Sequence, residues 1–296
     1  MKLGTVRLAD RTAAARLDGD TYIEIDGYDD VGTLLAEPHW RDISAAADGP
    51  RHDAVAASVA LLVPQPSKIL CVGLNYRSHI EEMGRPLPEY PTVFAKFADT
   101  VTGPYDDITA VADDPELDWE GELAVVIGAT TYRVTEHEAA ASIAGYTVAN
   151  DISMRGWQYR SQEWLQGKIW ARSTPIGPVL TTADEFDPTT ARLTTTVNGE
   201  VMQDHPIADL LFTPAHLVAY LSQILPLRAG DVILTGTPGG VGHARDPKRH
   251  LAAGDVVEVT IDQLGSVSNR IVEDDRPTVP IRPADSRPGV ISGVGV

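Results

Sequence analysis

"LDWEGELAVVIG", Leu117–Gly128, reads in two halves. Leu123 to Gly128 is an unbroken apolar run, the pattern of a strand buried on both faces. Ahead of it, Asp118, Glu120 and Glu122 alternate with Trp119, Gly121 and Leu123. Alternate side chains of a strand share a face. Glu120 and Glu122 are therefore expected side by side, roughly 6.5–7 Å apart between Cα atoms. At an effective dielectric of about 20, two such charges repel by roughly 2.5 kcal/mol. Either the acids lie in water, or a cation removes the repulsion.

Outward from this strand, the chain from Lys68 onward is strand-rich. Residues 68–74, 92–97, 121–128, 144–151, 191–203, 231–237, 255–262 and 266–274 all carry strand patterns. Asn198-Gly199 is the strongest hairpin signal, since both residues tolerate a positive φ. Helices are fewer: 135–144, 153–165 and 213–225, the last with Thr213 as cap and Pro214 in the first turn. Strands that follow one another without helices between them point to an antiparallel-rich β core with peripheral helices, not a doubly wound sheet.

Residues 1–65 read as a small N-terminal domain. Two short strands flank the turn "DGD", and "GTLLAE" and "HDAVAASVALLV" suggest helical pieces. "PQPS", Pro64 to Ser67, is a linker whose prolines continue neither helix nor ladder. Residues 66–276 form the main unit, and 277–296 are a proline-rich tail without a period, expected to be an extended arm.

The 296 residues carry 24 basic and 42 acidic side chains, a formal net charge of −18. That excludes nucleic acid and anionic membranes as partners, because both need a basic face. No run of 18 apolar residues exists, so no transmembrane helix is expected. "MKLGTVRLADRTAAARL" lacks the apolar core of a signal peptide, and the expected location is cytoplasmic. Only five lysines occur against nineteen arginines. Cys71, the single cysteine, lies in an apolar run and reads as a buried small residue.

If a cation relieves the acidic stretch, a third oxygen ligand is needed, and Asp151 at the end of "AGYTVAND" is the best candidate. Three carboxylates without clustered His or Cys select Mg2+, Mn2+ or Ca2+ over zinc or copper. In "GLNYRSHIEEMG", Asn75 is a possible helix cap. His79 and Glu82 then share one helical face. That spacing fits either a surface ion pair or a general base whose tautomer a carboxylate fixes. Arg155, Gln158 and Lys168 supply donors downstream of Asp151, suited to an anionic substrate and a developing oxyanion. "LTGTPGGVG" lacks the Lys-Ser/Thr ending of a phosphate loop, and no helix follows it, so both nucleotide fingerprints fail.

Together these stretches are ordered. "GLNYRSH", "DWEGELAVVIG", "GYTVANDIS", "GK…TPIGPVL", "VNGEVMQ", "LRAGDVILTGTPGGVG" and "AGDVVEV" occur in the sequence seen in the fumarylacetoacetate hydrolase family, over about residues 67–274. The chain resembles that family. The resemblance implies a β-rich α+β fold, a mixed β-sandwich roll with peripheral helices, and a homodimer. It implies a Mg2+ or Mn2+ site at Glu120, Glu122 and Asp151 (Ca2+ being a further option), a histidine–glutamate dyad at His79 and Glu82, and further site residues at Arg155, Gln158, Lys168 and Thr237. One string departs from the family pattern: "GKIWARSTPIGP" has Ala171 and Ser173 where many members carry an acid and an aromatic. This version looks most like the fumarylpyruvate and acylpyruvate hydrolases of aromatic-acid breakdown.

The resemblance implies metal-assisted hydrolysis of a C–C bond in a 2,4-dioxo acid, releasing pyruvate and a carboxylic acid. In it His79, oriented by Glu82, activates water, Lys168 and Gln158 stabilise the oxyanion, and Arg155 and Thr237 bind a substrate carboxylate. The alternatives on the same site are decarboxylation of oxaloacetate and isomerisation of 2-hydroxyhepta-2,4-diene-1,7-dioate, neither of which needs water to attack. In every case the partner is a small 2-oxo acid.

Overall fold

The computed structural model describes residues 1–82, 84, 86–110 and 114–274, without the side chain of Glu82. The proline-rich tail, 277–296, lies outside them. A twelve-stranded sheet dominates. Its main path runs Arg51–Asp53, Thr21–Glu24, Thr12–Asp18, Lys2–Arg7, Thr174–Thr182, Ile143–Asn150, Gly121–Ile127, Val232–Leu234, Ile69–Gly73, Thr92–Lys96. A second sheet of five strands has Arg192–Val197, Val256–Ile261 and Gly265–Glu273 at its centre. Pairing is antiparallel except at three places, one of them Val232–Leu234 against Ile69–Gly73.

The apolar run behaves as its pattern requires. Every residue of Gly121–Ile127 is buried. Leu123, Val125 and Ile127 face Leu193, Val259 and Ile261 of the second sheet and Leu217 and Leu221 of the helix Pro214–Ile224. Ala124 faces Ile69, Cys71 and Leu234 on the other side. Each large side chain so enclosed contributes about 1.5–3 kcal/mol. Cys71 is buried and free, as read. The helix Pro214–Ile224 is capped by Thr213, which accepts from the His216 N–H. Thr135 and Glu138 form a capping box at the start of the helix Glu136–Ser142. Asn198 and Gly199, at φ 52° and 81°, turn the hairpin between Arg192–Val197 and Glu200–Pro206.

Three local readings are corrected. "HDAVAASVALLV" is not helical: it begins within the strand Arg51–Asp53 and contains the strand Ser58–Val59. The Asp53 carboxylate accepts from the N–H groups of Val55 and Ala56 and turns the chain between them, so that Val59 pairs with Val6. Asn75 does not cap the helix Arg77–Glu82. Its side chain bonds Phe212 and the Thr235 carbonyl, and Asp209 takes the Ser78 N–H instead. The segment 153–165 is a short strand, Ser153–Met154, then the helical turn Arg155–Gln158, with Leu165–Lys168 following.

The longest strand to escape the sequence pattern is central. Thr174–Thr182 lies mid-sheet although it contains Pro175 and Pro178. Its partner Ile143–Asn150 has an irregularity between Tyr146 and Val148, opposite Pro178, so no ladder donor is needed there. The same strand pairs with Lys2–Arg7 through Leu3 and Leu180, which makes the N-terminal strands a continuation of the main sheet. Among the described residues no helix is long and apolar enough to cross a membrane.

Candidate active site and metal centre

The site is built where a ladder breaks. Gly121–Ile127 pairs with Ile143–Asn150 beginning at Gly121 and Asn150. The same two segments pair again as Leu117–Asp118 with Ser153–Met154. Between the two ladders lie Trp119–Glu120 on one side and Asp151–Ile152 on the other. Glu120 is therefore not within a strand, which corrects the simple alternation read from the sequence. The Asp151 N–H donates to the Glu120 carbonyl at 2.8 Å, and the Glu120 N–H donates to Asn150 Oδ1 at 2.9 Å. These bonds hold the two acids opposite each other.

Glu120, Glu122 and Asp151 bring one carboxylate oxygen each to within 4.8 Å of one another, and all three are buried. Most of the repulsion posed by the opening stretch is met by cations. Lys168 Nζ donates to Glu120 Oε2 at 2.6 Å and to Asp151 Oδ2 at 3.0 Å. Lys96 Nζ donates to Asp151 Oδ1. Arg155 Nη2 lies 2.7 Å from Glu120 Oε1 and 2.8 Å from Asp118 Oδ2, while its Nη1 donates to Gln158 Oε1 at 2.7 Å. Arg155 and Gln158, three residues apart, thus meet on one side of their helical turn.

These charges set the protonation states. Burial works against the Asp151 charge, but the Lys168 and Lys96 ammoniums outweigh it and hold its carboxyl below the ordinary value. Burial likewise works against Lys168, yet Asp151 and Glu120 keep its ammonium above the ordinary lysine value. Arg155 is raised in the same way by Glu120 and Asp118. Glu122 goes the other way: burial first, then Asp151 and Glu120, push it well above the carboxylate range.

Those states test whether a cation fits. Four acids (Asp118, Glu120, Glu122 and Asp151) meet three cations, and Glu122 is left with the Gly236 N–H, 2.6 Å away, as its hydrogen-bond donor among the described residues. A divalent ion among the three carboxylates would compensate the Glu122 charge that burial and its neighbours oppose. The all-oxygen donor set suits a hard cation. Gly236 makes the Glu122 contact possible. It sits at φ 100°, and a Cβ there would meet the Val72 carbonyl oxygen at 2.8 Å.

A cavity of about 410 Å3 opens onto this centre, lined by Glu120, Arg155, Gln158, Lys168, His79 and Thr237, with Phe94 and Trp164 as apolar walls. The Thr237 hydroxyl accepts from Gln203 Nε2 at 2.8 Å, which leaves its own hydrogen to donate. Glu82, the dyad partner that the resemblance implies for His79, has its side chain outside the described residues. Sequence reasoning missed Asp118, Lys96 and Gln203. Asp118 stood in the opening stretch and Lys96 was a lone cation in an apolar strand, one of only five lysines. No comparable signal marks Gln203, which bonds the Gly121 N–H and Thr195 as well as Thr237.

With this geometry established, comparison with known proteins places the chain. The family profile described as fumarylacetoacetate (FAA) hydrolase C-terminal matches residues 68–272. A mitochondrial oxaloacetate tautomerase of Xenopus laevis is 38% identical over 267 residues, 86% of this chain and 84% of the relative. A human mitochondrial oxaloacetate tautomerase is 42% identical over 221 residues, 73% of this chain and 70% of that protein. Among solved structures, a fumarylacetoacetate hydrolase from Exiguobacterium antarcticum superposes with a TM-score of 0.84 at 30% identity, covering 93% of this chain and 100% of that one. A 5-carboxymethyl-2-hydroxymuconate delta-isomerase from Mycobacterium smegmatis gives a TM-score of 0.79 at 32% identity with the same coverage.

Proposed function

Because the chain belongs to the fumarylacetoacetate hydrolase family, we propose that it is a divalent-metal-dependent enzyme that interconverts the enol and keto forms of a 2-oxo diacid of the oxaloacetate class. The observation that carries the reading is the convergence of His79, Glu120, Arg155 and Lys168 on one cavity. The names of the tautomerase relatives direct the choice among the family's reactions.

Glu120, Glu122 and Asp151 would hold a Mg2+ or Mn2+ ion, which when bound polarises the 2-oxo group. His79 is the acid–base group that moves a proton between the substrate oxygen and the neighbouring carbon. No water is consumed. The Lys168 ammonium, kept charged by Asp151 and Glu120, stabilises negative charge on the oxygen as the proton leaves. The Thr237 hydroxyl and Gln158 orient the substrate carboxylates. Arg155 fixes Glu120 and Gln158 in place.

A second reading retains the same residues for hydrolysis of an acylpyruvate such as fumarylpyruvate to pyruvate and a carboxylic acid, as in aromatic-compound breakdown. The apolar walls Phe94 and Trp164 favour it, since they suit an acyl chain longer than that of oxaloacetate. One experiment separates the two. With Mg2+ or Mn2+ present, loss of the enol ultraviolet absorbance of oxaloacetate is followed beside pyruvate release from a panel of acylpyruvates. Faster ketonisation without loss of total oxaloacetate supports the tautomerase. Unchanged ketonisation with pyruvate release transfers the assignment to the hydrolase.

A further inference from the structure

At the edge of the same cavity, Glu116, His243 and His250 bring one ligand atom each to within 4.8 Å of one another. The backbone fixes all three. The Leu251 N–H donates to the Leu117 carbonyl at 2.7 Å, and the Arg155 N–H donates to the Glu116 carbonyl at 3.0 Å. The Gly242 and His243 N–H groups both donate to the Asp118 carboxylate, at 2.7 and 3.0 Å. A separate observation concerns His250. Its Nδ1 is shut off from solvent and has no hydrogen-bond partner among the described residues. Leaving such an atom unsatisfied costs about 1–3 kcal/mol, which a metal ion coordinated at Nδ1 would remove.

Two imidazoles and one carboxylate are the donor set of a borderline cation, unlike the three carboxylates deeper in the cavity. We infer that Glu116, His243 and His250 form a second divalent-metal site, selective for a borderline ion such as Zn2+ or Co2+. Ligands at about 2.0–2.1 Å from a tetrahedral ion lie roughly 3.4 Å apart. The present spacing closes to that by rotation of three partly exposed side chains. Lys248, exposed and with Nζ 3.2 Å from His243 Nε2, swings out as the ion enters. The His243 ring also lines the reaction cavity and packs on Tyr159 at 5.1 Å. An ion held by it presents positive charge to an incoming diacid.

The test is equilibrium dialysis of the full chain against Co2+ with metal analysis of the retained protein. The wild type is expected to hold two equivalents per chain, and Glu122→Gln and His250→Ala one each. The equivalent retained by His250→Ala reports that the variant is folded, and Glu116→Gln repeats the test at a second ligand. A wild type that holds a single equivalent, lost in Glu122→Gln, overturns the inference. So does full wild-type stoichiometry in both His250→Ala and Glu116→Gln. A single equivalent lost in His250→Ala and kept in Glu122→Gln upholds this second site and rejects the carboxylate centre instead.

Discussion

Arg155 is locked to Asp118: Nε donates to Oδ2 at 2.9 Å, and Nη2 lies 2.8 Å from the same oxygen. With Nη1 on Gln158 and Nη2 also on Glu120, the guanidinium is a strut that aims Glu120. A carboxylate that the sequence pattern left without a role thus supports one of the proposed metal ligands. Asp118→Asn keeps the shape and removes the charge. Breaking a buried pair by altering one partner costs about 3–5 kcal/mol, so the variant is expected to melt earlier. Loss of one charge-assisted bond, about 1.5–3 kcal/mol, predicts a fall in kcat/KM of roughly 10- to 100-fold. Unchanged turnover would show that Arg155 needs no support from Asp118.

Glu122 gives the clearest metal prediction. Burial and two neighbouring carboxylates oppose its charge, and either a proton or a bound cation relieves them. Glu122→Gln removes that repulsion along with a ligand. The variant is expected to be at least as stable as the wild type without metal, yet to lose the stabilisation that Mg2+ or Mn2+ gives, together with turnover. Thermal melts with and without added metal, beside the enol assay, check both halves. Metal-dependent stabilisation that survives in the variant would remove Glu122 from the ligand set.

The contrast between these residues shows what was legible in the sequence. The Leu123–Gly128 run, the Thr135–Glu138 box and the Asn198-Gly199 turn were readable because each depends on neighbours in the chain. The three acids were readable because Glu120 and Glu122 flank the start of one strand and Asp151 follows the end of its partner. Lys96 and Asp118 act through partners 55 and 37 residues away, which local pattern does not encode. Thr174–Thr182 was hidden because its two prolines oppose a ladder, and the irregularity in its partner strand that accommodates Pro178 is not encoded locally.

A homodimer, implied by the resemblance, has a candidate face. Thr92–Lys96 ends the main path of the large sheet, and Leu87, Tyr90, Val93 and Phe97 around it are 41, 62, 37 and 53% exposed. An apolar sheet edge of that kind calls for a cover. If a second copy covers it, Phe97→Glu should shift the sedimentation coefficient toward the monomer at micromolar concentration. A monomeric wild type, or a variant that sediments unchanged, assigns this face to something else.

Asp106 predicts the response to acid. Its carboxylate accepts from the Gly103 N–H, the Thr102 hydroxyl, Arg7 and Arg172, tying the N-terminal strand Lys2–Arg7 to the main unit. Burial raises its pKa, but the Gly103 bond and Arg7 outweigh that and hold it below the ordinary value of 3.8. A depressed folded pKa means that the unfolded chain takes up the proton first as pH falls. The stabilisation is complete well above pH 3.8 and disappears as pH drops through the lower folded value. Asp106→Asn is expected to cost about 1–2 kcal/mol near neutrality, after allowance for the solvent that reaches Arg7 and Arg172. Urea melts at pH 7 and at pH 3 should show the wild type and variant midpoints converging at the acid end. A gap of constant size across that range would mean that the Asp106 charge contributes nothing.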